Sequence, residues 1–191
     1  KPTPSIGGVG LINDYKNMIS MGFKEIDNLV LIIGKTEGHI DQSIFAKEIL
    51  NQKKGPPPEV NLFNEKNNGE TVLKLINDGF IKSAHDISVG GLLIAISKMC
   101  ISGNKGINIK KPQNLINYFE YFFGEDQGRY LIEIKKNDLD KVKSFLDENS
   151  VYFNEIGTIQ EKNIVLKNEL NVTVDELIKT NKTWLSTYMS K

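Results

Sequence analysis

Apolar positions along the chain follow two rhythms. Residues 29–33 are a continuous apolar run ended by Gly34, which predicts a strand buried on both faces. Residues 5–12 are short, apolar and glycine-rich, and predict a strand closely approached by other backbone at Gly7, Gly8 and Gly10. Shorter runs at 82–86, 129–134, 152–159 and 163–166 predict four more strands. Between them the spacing turns helical. Residues 41–50 can start on Asp41 as N-cap, and residues 70–80 align Val72, Leu75, Ile76 and Phe80. Residues 88–101 align Leu92, Ala95, Ile96 and Met99, and residues 138–146 align Leu139, Val142 and Leu146. A last helix opens at Thr173 with Glu176 three residues on, a capping box, and runs to about Tyr188. Residues 52–60, with Gly55 and Pro56-Pro57-Pro58, predict a loop.

Strands and helices in this order predict a mixed α/β domain, one sheet covered by helices. The 191 residues are enough for one independent core. Lys1-Pro2-Thr3-Pro4 looks like the end of a stiff linker, so residues 1–4 are expected to be a linker remnant and 5–191 a single domain.

Composition narrows the function. Lys+Arg and Asp+Glu are both 24, so the chain lacks the basic excess of a general nucleic-acid binder. No apolar run approaches the ~20 residues of a membrane span. The single Cys100 in an apolar helix predicts an inert buried thiol, and a cytoplasmic setting is expected. Arg129 is the only arginine against 23 lysines.

Three segments could carry chemistry. In residues 84–92, His85, Asp86, Ser88, Gly90 and Gly91 fall where a strand gives way to a helix. Free N–H groups there attract phosphate, Ser88 can cap, and Asp86 would stand at the strand's carboxyl end. The alternative is a capped turn whose glycines serve packing. In residues 123–130, Glu125 and Asp126 could hold Mg²⁺, Gln127 offers donor and acceptor, and Arg129 could clamp a phosphate. The alternative is a solvated acidic turn with a locally paired arginine. Residues 34–43 lack the frame of a phosphate-binding Walker loop and suggest a helix entry. His39 and His85 are the only histidines, and no His/Cys cluster has zinc spacing.

Together these segments resemble one family. The opening Pro2 to Ile12 is similar to the start of the last domain of phosphoribosylformylglycinamidine synthase. Gly38-His39-Ile40-Asp41-Gln42-Ser43 resembles its Gly-His-Leu-Gly-x-Ser loop. Residues 84–92 resemble its His-Asp-x-Ser-Asp-Gly-Gly-Leu segment, and residues 123–129 its Phe-Gly-Glu-Asp-Gln-x-Arg segment. The resemblance implies an AIR synthase-like C-terminal domain, partly ferredoxin-like, in the second of two tandem copies. It implies an enzyme that uses ATP, Mg²⁺ and glutamine-derived ammonia to turn formylglycinamide ribonucleotide into formylglycinamidine ribonucleotide in purine biosynthesis. The remaining domains of the polypeptide, a glutaminase subunit and a small accessory subunit are the implied partners. The catalytic histidine of the family lies upstream of Pro2, so no catalytic residue is expected in this chain, and any metal ligand is left open. His85, Asp86, Ser88, Gly90 and Gly91 of segment 84–92 and Glu125, Asp126, Gln127 and Arg129 of segment 123–130 are then candidates for nucleotide or substrate binding. Val89 stands where the family segment carries Asp, which removes a carboxylate beside the glycines. Two other roles remain open: a non-catalytic nucleotide-binding or structural module, and the matching domain of a sister enzyme such as selenophosphate synthase.

Overall fold

A computed structural model of the chain describes residues 5–12, 14–112 and 117–190. Residues 1–4, expected to be a linker, lie outside the described residues. The elements are β1 (Leu29–Ile33), α1 (Ile44–Glu48), α2 (Leu62–Asn77), β2 (Ile81–Ile87), α3 (Gly91–Gly103), β3 (Gly106–Ile109), α4 (Tyr118–Phe123), β4 (Arg129–Ile134), α5 (Leu139–Glu148), β5 (Phe153–Gln160), β6 (Asn163–Leu166), β7 (Leu170–Thr173) and α6 (Val174–Met189).

One seven-stranded sheet runs β2-β4-β1-β5-β3-β6-β7. Its first four strands pair antiparallel, and β3 with β6 is the parallel pair. The succession β1-α2-β2-β4-α5-β5 is a β-α-β-β-α-β unit, so the expected ferredoxin-like part is present. Between β2 and β4 the chain inserts α3, β3 and α4.

β1 explains the layering. All five of its residues are buried, and alternate side chains point to opposite faces. Val30 and Ile32 join Leu92, Ala95, Ile96 and Met99 of α3 in one cluster. Leu29, Leu31 and Ile33 join Val72 and Leu75 of α2 and Val142 and Leu146 of α5 in the other. Each such side chain contributes ~1.5–3 kcal/mol by leaving water. The sheet is therefore sandwiched between two helical layers, as the strand and helix periods predict.

Several local expectations are corrected. Residues 5–12 form no strand and lie exposed. The helix expected over 41–50 shortens to α1. Gln42 takes φ 62°, which breaks helical geometry after Asp41, so Ser43 caps instead and its hydroxyl accepts from Ala46 N at 3.0 Å. α2 starts earlier than residue 70 because Asn61 caps it, accepting from Asn64 N at 3.0 Å. Ser88 does not cap α3: the N-cap is Gly90, at φ 91°, with no side-chain cap. The short β3, α4 and β7 were not anticipated. The Thr173–Glu176 capping box is present, and so are the aligned faces of α2, α3 and α5.

Candidate functional site

The acidic turn after α4 is where the three segments meet. Asp126 carries both oxygens into the loop after β1: Oδ2 accepts from the backbone N–H of Glu37 and Gly38 at 3.0 Å each, and Oδ1 from His39 at 2.9 Å. Glu125 Oε1 accepts from Ile44 N at 2.9 Å, the first residue of α1, and from Gly90 N at 2.8 Å, the cap of α3. Its own N–H donates to His39 O at 2.8 Å. Two neighbouring carboxylates thus satisfy five backbone donors from three separate elements. Each is a charge-assisted bond placed on donors that no helix or strand ladder would otherwise satisfy.

Arg129 fixes this turn from behind. It is 1% exposed. Its Nε donates to Asp126 O at 3.1 Å, Nη2 to Gly124 O at 2.7 Å and Nη1 to Thr36 Oγ1 at 3.1 Å, with Asp126 Oδ2 3.5 Å from Nη1. Burial lowers the guanidinium pKa and the Asp126 charge opposes that shift. Asn68 of α2 adds a bond to Gly128 O at 2.8 Å. Phe45 of α1 stacks on Phe123 of α4 with ring centroids 4.7 Å apart, pinning the same loop from its apolar side.

The backbones are correspondingly close. Gly91 has φ 71°, and a Cβ there would sit 2.7 Å from Gly124 O. Only glycine admits this contact between the start of α3 and the end of α4.

Of the remaining predicted side chains, Asp86, Ser88 and Gln127 lie at the surface and His85 is mostly covered. Asp86, at the carboxyl end of β2, is 61% exposed by side chain, with Oδ1 3.1 Å from His85 Nδ1. His85 is mostly covered, and its Nε2 lies buried with no hydrogen-bond partner among the described residues. Ser88 is exposed, and its carbonyl accepts from Gly91 N at 3.0 Å. Gln127 is exposed and reaches back to Glu125 O at 3.4 Å. Alongside lies a cleft of ≈ 630 Å³, bordered by Lys35, His39, Asn64, Asn68 and Gln127.

The structure therefore divides the predicted residues. Glu125, Asp126 and Arg129 face one another and the backbone. His85, Asp86, Ser88, Gly90 and Gly91 gather at the opening of α3, linked to the first group through Glu125 and Gly90. A Mg²⁺ site built on Glu125 and Asp126 does not fit, because three of their four oxygens are already shared among backbone donors. Among the described residues no group of three His, Cys, Asp or Glu side chains is placed to hold a metal. Asp86 is the carboxylate of the set left open to solvent.

Sequence reasoning missed Thr36 and Asn68, which carry no motif signal. It also missed Glu133, fully buried on β4, which accepts from Lys24 N, Glu25 N, Asn28 Nδ2 and Ser83 Oγ. A carboxylate inside the apolar run 130–134 was the available signal.

A ferredoxin-like half-sheet extended by three strands, with glycine-bearing loops tied together at one end, defines a domain of the AIR synthase type. The family described as AIR synthase related protein, C-terminal domain, matches residues 25–167, and the chain belongs to it. The chain is 62% identical over 189 residues to the phosphoribosylformylglycinamidine synthase subunit PurL of Pelagibacter ubique, covering 99% of the chain and 26% of that relative. The Bartonella bacilliformis PurL is 40% identical over 188 residues, covering 98% and 25%. The chain thus spans about a quarter of the length of the curated relatives it matches. Among solved structures, T. maritima PurL complexed with FGAR superposes with a TM-score of 0.69 at 19% identity, covering 85% of the chain and 30% of that protein. E. coli HypE, a hydrogenase maturation protein, superposes at 0.53 and 15% identity, covering 81% and 52%. These likenesses show the shared fold. Among the described residues no helix is long and apolar enough to cross a membrane.

Proposed function

We propose that the chain works as the C-terminal domain of a phosphoribosylformylglycinamidine synthase and supplies a nucleotide-facing surface rather than reacting atoms. The observation that carries this is the 62% identity to a PurL subunit along 99% of the chain. The whole enzyme is a cytoplasmic carbon–nitrogen ligase of purine biosynthesis. It joins glutamine-derived ammonia to formylglycinamide ribonucleotide, working with a glutaminase subunit and a small accessory subunit. ATP with Mg²⁺ supplies phosphorylation of the amide oxygen ahead of ammonia attack.

What this chain does is bind and position. The N–H groups of Gly90 and Gly91 are taken by Glu125 Oε1 and Ser88 O, so what α3 offers a phosphate is its dipole and the N–H groups that follow. Ser88 stands beside them with an exposed hydroxyl. Asp86 would repel a bare phosphate and would serve as the single carboxylate of a cation shared with phosphate oxygens. His85, at 3.1 Å, orients Asp86. Glu125, Asp126 and Arg129 keep the opening of α3 and the loop 36–43 in register, and touch no ligand themselves.

One observation favours a second reading, a structural module without nucleotide. The chemically richest residues, Glu125, Asp126 and Arg129, are spent on the fold. The two readings separate in the full-length enzyme. Asp86→Ala is expected to lower nucleotide affinity by ~10-fold or more in calorimetry, at unchanged melting temperature, about one lost charge-assisted contact. Unchanged nucleotide binding and turnover in Asp86→Ala would assign the domain to structure alone.

A further inference from the structure

We infer that a second cleft, at the end of the sheet where β5 begins, binds a small zwitterion with the chemistry of a free α-amino acid, its carboxylate on Lys143 and its ammonium on Glu120. The inference stands apart from the nucleotide surface at α3.

The cleft has a volume of ≈ 650 Å³, within the range of small-molecule sites. It meets the cleft beside Gln127 only at Glu37, Gly38 and Glu120. α5 contributes Lys143, from the helical layer that packs Val142 and Leu146. α4 contributes Glu120 and Tyr121, from the layer that packs Phe122. The chain entering β5 contributes Tyr152 and Asn154.

Most charges along the cleft cancel at short range. Lys110 pairs with Glu155, Lys111 with Glu169 at 3.4 Å and Glu37 with Lys35 at 2.9 Å. Two charges are left over. Among the described residues, neither Lys143 nor Glu120 takes part in an ion pair, with each other or with anything else. Lys143 is half-buried, so its ammonium gives up hydration that no partner in the chain returns.

Neutral donors stand beside them. Among the described residues, no hydrogen bond satisfies the hydroxyl of Tyr121 or of Tyr152, although a covered tyrosine ordinarily finds a partner. Burial pushes Tyr121 up to about 12, with Tyr152 acting in the same direction and Arg129 against it, so the phenol stays a donor at neutral pH. An ammonium and two phenols on one cleft are a donor set suited to a carboxylate.

The charge pattern selects the ligand. A phosphate dianion would face three carboxylates on the same walls, Glu37, Glu120 and Glu155, and be repelled. A simple carboxylate would leave Glu120 unmatched, and a simple amine would leave Lys143. A molecule carrying both charges answers both. The anionic wall is also formed in advance. A Cβ on Gly38 would come within 2.9 Å of Glu120 Cβ, so α4 and the loop after β1 are in contact there. Asp126 holds that loop through the N–H groups of Glu37 and Gly38, which leaves little to order on binding.

Calorimetric titration of the full-length protein with L-leucine, L-glutamine, L-lysine and L-glutamate, each alone, tests this. At least one should bind with a dissociation constant below ~1 mM. Lys143→Met and Glu120→Gln should each weaken that binding ~10-fold or more, one charge-assisted contact, at unchanged melting temperature. The same compound stripped of its amine, or of its carboxylate, should lose ~10-fold or more on the unsubstituted protein. Failure of all four to bind overturns the inference, as does binding that survives either substitution or either truncated compound. Inorganic phosphate bound more tightly than the amino acid, and lost in Lys143→Met, also overturns it, because the cleft is then an anion site. Nucleotide affinity should be the same in Lys143→Met as in the unsubstituted protein. A fall there overturns the inference by giving the cleft to the nucleotide, whereas absent amino-acid binding with nucleotide affinity intact leaves the nucleotide reading standing.

Discussion

Replacing Asp126 with alanine should destabilise this domain more than any exposed substitution. Three backbone donors, from Glu37, Gly38 and His39, lose their acceptor at once. Charge-assisted bonds contribute ~1.5–3 kcal/mol each, which sets a ceiling near ~9 kcal/mol. The loop 37–39 is partly open to solvent, so water recovers much of that. The part water cannot recover is Arg129. Its side chain is fully buried and would lose its carboxylate, and breaking a buried pair from one side costs ~3–5 kcal/mol. Arg129 keeps three neutral acceptors, at Asp126 O, Gly124 O and Thr36 Oγ1, which holds the total near that range rather than above it. Domains of this size lose ~2–4 °C of melting temperature per kcal/mol, so the midpoint should fall by ~6–20 °C. Asp126→Asn keeps one accepting oxygen but turns an amide N–H toward backbone donors, and should lie between alanine and the unsubstituted chain. The assay is urea unfolding followed by far-UV circular dichroism. Trp184 is 59% exposed on α6 and would report the transition poorly by fluorescence. An Asp126→Ala chain within ~1 kcal/mol of the original would refute the clamp, since one ordinary surface substitution does as much.

Three further outcomes are expected. Gly91→Ala should cost clearly more than Gly79→Ala: both sit at positive φ, worth ~1–2 kcal/mol for a side chain, but only at Gly91 does the Cβ meet backbone, at 2.7 Å. Equal losses in denaturant titrations would deny the close approach. The Glu176 carboxyl is held below its ordinary 4.5 by the Thr173 backbone N–H and then its hydroxyl. Its capping bonds therefore stand above that pH and are lost as pH falls through the lowered value. Amide exchange in the first turn of α6 should accelerate on acidification, and Glu176→Gln should remove that dependence. Burial pushes the Cys100 thiol up to about 12, so the stability tied to its neutral form is complete below 9.0 and fades as pH rises toward 12. At mildly alkaline pH a thiol reagent should label Cys100 only through unfolding, and labelling at the rate of a free thiol would contradict its burial.

How legible the molecule is in its sequence depends on the range of the forces at work. β1, α2, α3 and α5 were readable because hydrophobic periodicity is local and records which face meets the core. The Thr173–Glu176 cap was readable because both partners lie within one turn. β3 and β7 were not, since four residues with mixed polarity acquire strand geometry only from neighbours distant in sequence, Gly106–Ile109 from β5 and β6. The start of α1 was misplaced because Asp41 and Ser43 are equally good caps on paper. The φ of Gln42, 62°, decides between them.

The acidic turn shows what motif reading alone leaves undecided. Adjacent carboxylates beside an arginine have the composition of a metal or phosphate site, and nothing local separates that from a clamp. What separates them is the location of donors. A ligand-binding carboxylate must keep its oxygens for the ligand, whereas here both Asp126 oxygens and one of Glu125 end on N–H groups some 35 to 90 residues away along the chain. The same bonds explain why the motif is placed just before β4. From there Glu125 reaches the openings of α1 and α3 and Asp126 reaches the loop 37–39, so that loop and the start of α3 cannot move independently. A phosphate held at α3 would therefore meet a surface already fixed by the clamp, with its ordering entropy met on folding rather than on binding.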